Sequence, residues 1–449
     1  MTPDERALAE QVTRLQPHAL AELASLVRIP SVSADPAHSA DVSASAQAVA
    51  TMARAAGADT VDTLSVAGGR PAVVASWPAP AGKPTVLLYA HHDVQPAPAD
   101  QWSSDPFEPV VRGGRVFGRG TADDKAGVVA HLTSIRAHGG RPPVGVVLFV
   151  EGEEEIGSPT FSAFLAEHRD RLAADVLVVA DSMNWSTEVP ALTTSLRGLV
   201  ECEVEVRTLH RPAHSGMAAA APDALSALVR VLASLHTEDG SVAVPDLVRG
   251  SRPAPDLDED AWRAETGMLD GVSLLGEGSL TDRLWMHPSV AVLAIDAPRL
   301  SEAANVLVPA ARAKVSMRIA PGQDADAALQ ALADHLRGSA PWGAHVSVSP
   351  GAGGAATSLD LTSAPAQVAQ AALRDAFGND PVEIGVGGSI PFIAELAVAY
   401  PQAAILVTGA GDPQASWHGP DENLHLGMFA RTCLFEALLL HRLAALADT

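Results

Sequence analysis

The stretch TVLLYAHHDVQP, residues 85–96, decides the fold. Its first six residues are strand formers without polar alternation, the pattern of a strand covered on both faces. The run ends abruptly in His91, His92 and Asp93. Two further runs repeat the design: VGVVLFV (144–150) leads into EGEEE (151–155), and DVLVVA (175–180) leads into Asp181. With PAVVASW (71–77) and a helical pattern from about Lys125 to His138 between two of the runs, these predict a doubly wound α/β sheet.

Beyond Asp181 the texture changes. LVECEVEV (199–206) and HVSVS (345–349) alternate with period two, as strands with one solvated face do. Between them lie a helix near Asp223 to Leu235, strands at VAVLAID and AKVSMRIA, and a helix at ADAALQALADHL. The order β-α-β-β-α-β is that of a ferredoxin-like α+β unit. A second domain is therefore expected at 198–352, inserted into a discontinuous first domain of 1–197 and 353–449. GAGGAATS (351–358) reads as the connector back, followed by the strand AAILVTG and a helix from about Leu426 to Leu446.

Composition sets outer limits. The 449 residues suit two domains, and 47% hydrophobic with 18% charged residues suits a globular chain. A formal net charge of -23, from 53 acids against 30 Lys and Arg, argues against nucleic acid as a partner. Cys202 and Cys433 are the two cysteines and form no CxxC pair, so neither a disulfide framework nor a cysteine metal site is expected. MTPDERALAEQVTRL has neither the basic start nor the apolar core of a signal peptide, and no run has the length of a membrane span. A cytoplasmic protein with no membrane partner is the expectation.

In open α/β sheets ligands gather outside the carboxyl ends of the strands. Here those ends carry His91, Asp93, the glutamates of EGEEE and Asp181, and the loop GRGTADDK adds Asp123 and Asp124 before a helix. Imidazole nitrogen and carboxylate oxygen are the donors of hydrolytic zinc sites. Asp93, two residues from His91, can take the imidazole's other nitrogen and fix its tautomer. Each feature has an ordinary reading: HxD by chance, EGEEE as a solvated loop, Asp-Asp as a helix N-cap. Their joint arrival at neighbouring strand ends is what points to a metal-binding edge. Which glutamates take part, and whether His418 or His425 joins them, is open on spacing alone.

LASLVRIPSVSADP, YAHHDVQP, GRGTADDKAG, EGEEEIGS, SLRG, AHSG, NVLVPAARAKVSMRIAPG, GGSIPF and WHGPDENLHLG together resemble the dinuclear zinc peptidase superfamily. That superfamily holds carnosinase-type dipeptidases, aminoacylases, acetylornithine deacetylase and succinyl-diaminopimelate desuccinylase, and DVQP with GGSIP points to the dipeptidase branch. The resemblance implies two Zn2+ ions, with Mn2+ or Co2+ as substitutes. One would be held by His91 and Asp181, the other by Glu155 and His418, with Asp123 bridging. It also implies Asp93 as the partner behind His91, Glu154 as general base, and a cis peptide bond between Asp123 and Asp124. His214 would reach the site of the other subunit of a homodimer and stabilise the reaction's oxyanion. Arg318 would grip a substrate carboxylate, Asn305 add a polar contact, and Gly387, Gly388 and Ser389 line the pocket. The inserted domain would serve as lid and dimerisation surface. The implied reaction is hydrolysis of an amide bond in a dipeptide or short peptide, or, as the alternative, deacylation of an N-acyl amino acid. Val386 bears on that choice, because carnosinase-like relatives carry at this position an acid that contacts the substrate's free amine.

Overall fold

The computed structural model describes residues 1–252, 254–387 and 391–446. In chain order the elements that matter here begin with helix α1 (Pro3–Val27) and strands β1 (Thr60–Leu64), β2 (Ala72–Trp77) and β3 (Thr85–His91). Helix α2 (Lys125–Ala137), β4 (Gly145–Glu151), α3 (Phe161–His168), β5 (Val176–Val179) and β6 (Ala191–Leu196) follow. Then come β7 (Gly198–Arg207), α4 (Ala224–Ala233), β8 (Ser289–Asp296), β9 (Ala310–Ile319), α5 (Ala325–Gly338) and β10 (His345–Gly354). The chain ends with α6 (Ala364–Phe377), β11 (Ala404–Val407) and α7 (Leu426–Leu446). They fall into two compact units, one of Met1–Thr194, Leu359–Ile384 and Phe392–Thr449, the other of Ser195–Ser358 and Gly385–Pro391.

The first unit is built on a sheet with the path β1-β2-β4-β3-β5-β11-β6. Its centre, β4-β3-β5-β11, is parallel, while β1, β2 and β6 pair antiparallel at the flanks. The sheet is thus mixed, with the parallel part where the uniformly apolar runs lie. Alternate residues serve opposite faces. Val86, Leu88 and Ala90 of β3 and Val146, Leu148 and Val150 of β4 join a core with residues of α1, α2, α6 and α7. Tyr89 and Phe149 point the other way, into an aromatic cluster with Phe161, Phe164 and Phe392 in which neighbouring ring centroids lie 4.1–6.1 Å apart. Because β3, β4 and β5 run parallel, their carboxyl ends meet on one edge.

The helices start where local chemistry starts them. Thr2 and Glu5 form a reciprocal capping box around Pro3 at the first position of α1. Asp124 accepts from Gly127 N at 3.2 Å and caps α2. Among the described residues no helix is long and apolar enough to cross a membrane.

The second unit has the antiparallel order β8-β9-β7-β10, which is the ferredoxin-like arrangement of its four strands. One face of β7 and β9, including Val200, Val204, Val315 and Met317, packs with α4 and α5 into a separate core. The Gly-rich segment read as a connector instead extends β10 to Gly354. A register shift between Pro350 and Gly353 lets the chain keep its pairing with β7 past the proline.

Arg442 of α7 ties the first unit's helices together, bonding Glu5 of α1 at 2.8 Å and Asp375 of α6. The Arg442 hydrogen bond is the main reason the Glu5 carboxyl is held down at about 2. A carboxylate lowered on folding stabilises fully above its unfolded pKa, here about 4.5, and loses that contribution as pH falls toward about 2. Arg442→Gln should therefore lower the thermal midpoint at pH 7, and the gap from wild type should narrow between pH 5 and pH 3. Differential scanning calorimetry at several pH values reads this; a gap independent of pH would contradict it.

Candidate metal centre

All the candidate ligands belong to the first unit. Strand β3 delivers His91 to the edge, the turn after β4 delivers Glu154 and Glu155, the residues after β5 deliver Asp181, and the loop before α2 delivers Asp123. His418 arrives from the loop after β11. The structure gathers these into two groups, His91 with Glu154 and Asp181, and Asp123 with Glu155 and His418, each with donor atoms within 4.8 Å of one another. Asp123 lies between the imidazoles: its Oδ1 is 3.0 Å from His91 Nε2 and its Oδ2 is 3.0 Å from His418 Nε2. His418 Nε2 also lies 3.3 Å from Glu155 Oε2.

The acidic run resolves into four separate environments. Glu151 is buried and accepts from the Tyr89 hydroxyl at 2.8 Å. Glu153 accepts from Arg70 N at 2.9 Å, and from Thr160 N and Oγ1 at 2.8 and 2.5 Å, bonds that hold its side chain on the loop leading to α3. Glu154 and Glu155 turn to the site, their backbone N–H groups donating to Asp93 Oδ1 at 3.2 Å and Oδ2 at 3.1 Å. Gln95 then orients Glu155, donating from its backbone N at 3.0 Å and from Nε2 at 2.7 Å.

Asp93 also faces His91. The imidazole Nδ1 lies 3.1 Å from the Asp93 carbonyl oxygen and 3.4 Å from its carboxylate. A carbonyl only accepts, so that bond requires a proton on Nδ1 and turns Nε2 toward Asp123. The two acids of GRGTADDK divide the readings between them: Asp124 is the helix cap, Asp123 the site residue, and the peptide bond joining them is cis. The two histidines of the last motif separate as well. His425 Nδ1 accepts from Met428 N at 3.1 Å at the start of α7, whereas His418 meets Asp123 and Glu155.

The electrostatics are those of crowded buried carboxylates. Burial pushes Asp181 up to about 7, with Asp123 and Glu155 adding to it and His91 opposing. Burial and the charge of Asp181 push Glu154 well above the usual carboxylate range. Asp123 is buried too, yet hydrogen bonds from His418 and His91 hold it below that range. Those same contacts with Asp123 and Glu155 raise His418 to about 10. Four carboxylates converge on two imidazoles, an excess of negative charge that divalent cations relieve. The donor set is imidazole and carboxylate without thiolate, and both cysteines are buried and free elsewhere. Such a set fits zinc in a hydrolytic site.

The second unit carries the remaining candidates. His214 pairs with Val306 in a short antiparallel bridge, and Ser215 N donates to the Asn305 carbonyl at 3.0 Å, so His214 and Asn305 are neighbours. His214 is exposed, and its Nδ1 accepts from Gly216 N at 3.0 Å, which leaves Nε2 to carry the proton. Arg318 is half-buried on β9. Gly388 and Ser389 lie outside the described residues.

Three residues escaped the sequence reading. Gln95 sits inside the quoted HHDVQP but has no charge to announce a role. Arg197, in SLRG, is buried, donating to Gly387 O at 3.2 Å, His287 O at 3.3 Å and Ser289 Oγ at 3.0 Å. Burial and the neighbouring charge of Arg318 bring it down to about 10. Glu422, in PDEN, is fully buried against the loop that carries Asp123. A signal did exist for Glu422, a carboxylate beside Asp421 in the Gly- and Pro-containing loop that also carries the candidate ligand His418.

The profile of the family described as Peptidase family M20/M25/M40 matches residues 87–442, and the chain belongs to that family. Among its relatives is a cysteinylglycine-S-conjugate dipeptidase of Corynebacterium striatum, 35% identical over 351 residues that cover 76% of this chain and 77% of that one. A Beta-Ala-His dipeptidase of Homo sapiens is 25% identical over 393 residues, covering 82% of this chain and 77% of its own. Of solved structures, the di-peptidase Dug1p of Saccharomyces cerevisiae aligns with TM-score 0.81 at 21% identity, covering 99% of both chains. Human carnosine dipeptidase 1 aligns equally, at 0.81 with 23% identity and 99% of both chains. These two likenesses establish the fold.

Replacing the two histidines of WHGPDENLHLG should separate their roles. His418→Ala should lower bound metal by about one ion per chain at fixed free metal, because one imidazole donor is gone. His425→Ala should keep full metal content and lose about 1 kcal/mol of stability with its helix cap. Metal analysis after gel filtration, with thermal melts, reads both; loss of metal from the His425 variant would reverse the assignment.

Proposed function

We propose that the protein is a metallodipeptidase that hydrolyses the amide bond of dipeptides or short peptides with a free C-terminal carboxylate. The observation that carries this is the carboxylate of Asp123 facing His91 with one oxygen and His418 with the other, each at 3.0 Å. A carboxylate so placed suits a bridge between two cations, with His91 and Asp181 on one side and Glu155 and His418 on the other. The ions are proposed to be two Zn2+, with Mn2+ or Co2+ accepted by the same donors. Bound metal supplies Lewis acidity, polarising an amide carbonyl and making water more acidic.

The chain's own groups do the rest. Asp93 holds His91 through its carbonyl and the backbone of Glu154 and Glu155 through its carboxylate, so ligand and base are set by one residue. Glu154, grouped with His91 and Asp181, is the general base: it takes the proton of the attacking water and returns it to the leaving amine. In the second unit Arg318 is the proposed anchor for the substrate carboxylate, since a guanidinium bonds a carboxylate bidentately. Asn305, Gly388 and Ser389 are proposed to complete the substrate contacts, and His214 to donate from Nε2 to the developing oxyanion of the other subunit's substrate. The relatives above are dipeptidases by name, which favours a dipeptide over an N-acyl amino acid. A cytoplasmic location and the boundaries 1–197 with 353–449 and 198–352 remain part of the same proposal.

A Glu154→Gln variant should keep its metal and its KM while kcat falls about 10²- to 10⁴-fold, the usual worth of a positioned proton carrier. Turnover of a free dipeptide should exceed that of its N-acetylated form in the wild type. Steady-state assays on purified, metal-loaded enzyme measure both. Unchanged kcat in the variant removes Glu154 as base, and a preference for the acetylated substrate turns the reading to deacylation.

The homodimer rests on the edge of the second sheet. Strand β8 is terminal in the sheet order and exposes Val292, Leu293 and Ile295 at 40%, 54% and 45%. An exposed apolar edge strand is a template for another chain, and a second copy is the occupant proposed. Sedimentation should find a dimer for the wild type and a monomer for Leu293→Lys/Ile295→Lys. An active wild-type monomer would remove the role of His214 across subunits.

A further inference from the structure

Glu422 spends its whole hydrogen-bonding capacity on one loop and one arginine. Its Oε1 accepts from Ala122 N at 2.9 Å and Asp123 N at 3.1 Å, and its Oε2 accepts from Gly120 N at 2.9 Å and Arg119 Nη1 at 2.7 Å. Three backbone N–H groups of a four-residue stretch thus close on one carboxylate, the concave arrangement that binds anions. Gly120 makes it possible with φ at +83°, and a Cβ there would come within 2.7 Å of Val94 Cγ1. The other side of the same guanidinium donates from Nη2 to the carbonyls of His418 at 3.2 Å and Gly419 at 3.1 Å. Arg119 and Glu422 are both fully buried, so neither end of the pair is exchanged for water.

The loops joined in this way carry Asp123 and His418, which belong to no helix or strand. The second of these loops is tightly bent, with positive φ at Ser416 (+55°), His418 (+58°) and Asp421 (+57°). Non-glycine residues adopt that region uncommonly and at a cost, which contacts from the surroundings offset. His91 sits at the end of a central strand and needs no such support; His418 depends on bonds from outside its own loop.

We propose that the Arg119–Glu422 pair is a positioning latch that fixes the separation of Asp123 and His418, and so selectively sustains the metal position formed by Asp123, Glu155 and His418. This rests on the dinuclear reading above. Glu422→Gln replaces an acceptor oxygen with an NH2 group facing backbone donors. Arg119→Lys keeps a cation beside Glu422 but cannot also span to the two carbonyls.

The test is metal binding by the full-length chain, stripped with a chelator and titrated with Zn2+ against a chromogenic competitor. Folding is checked by circular dichroism, and Co2+ titration supplies visible spectra as a second readout. Wild type should bind two ions. In both variants the ion held by Asp123, Glu155 and His418 should weaken about 10- to 100-fold, the usual effect of removing a group behind a ligand, while the other, which shares only the bridging Asp123, weakens less. The absorption gained with the second equivalent of Co2+ should be lost. Arg115→Lys is the control: Arg115 ties Asp412 and Asn423 to the hairpin strand Arg115–Phe117 but bonds neither candidate ligand, and should leave both affinities unchanged. If Glu422→Gln does not fold, Arg119→Lys decides. A folded variant that binds both ions normally, or weakens both alike, overturns the latch. A wild type that binds fewer than two ions overturns the dinuclear reading first, and the latch with it.

Discussion

Everything at this edge turns on the cost of burying carboxylates together. Asp123, Glu154, Glu155 and Asp181 lie at one end of the sheet, largely out of water, where like charges repel strongly and ionised groups lose their hydration. The upward shifts of Asp181 and Glu154 are the mark of that conflict. A fold selected only for stability would not assemble such a cluster. It becomes sensible as a cation site, and it requires the structure behind it to withstand the repulsion.

The support is layered. Directly behind the candidate ligands stand Asp93, which holds an imidazole and two backbone N–H groups, and Gln95, which fixes Glu155. Behind the loops stands the buried pair of Arg119 and Glu422. Below all of these is the parallel centre of the sheet, packed on one face by helices and on the other by aromatic rings. The lowest layer is apolar, so the charged edge rests on well-packed strands rather than on loops alone.

The second unit solves a different problem with the same economy. Its sheet buries one face under two helices and leaves the other to charged residues such as Glu203, Arg312 and Lys314. Burial and the charge of Arg318 lower Arg197, which donates to the carbonyls of Gly387 and His287.

The amino-acid pattern by itself determined a good deal. Uninterrupted apolar runs ending in His91, Glu151 and Asp181 are legible because a buried parallel strand needs apolar residues on both faces. The alternation around Glu201 and Ser347 is legible because a one-sided sheet imposes period two. Tertiary structure decided what periodicity cannot express. EGEEE divides by contacts that are remote in sequence: Tyr89 for Glu151, Arg70 and Thr160 for Glu153, Asp93 behind Glu154 and Glu155. His418 and His425, seven residues apart, part because one sits on a bent loop and the other caps a helix. The mixed sheet and the strand reaching Gly354 were likewise invisible. They depend on which distant backbone groups the chain brings within hydrogen-bonding range, and that is a property of the packed molecule rather than of any local run of residues.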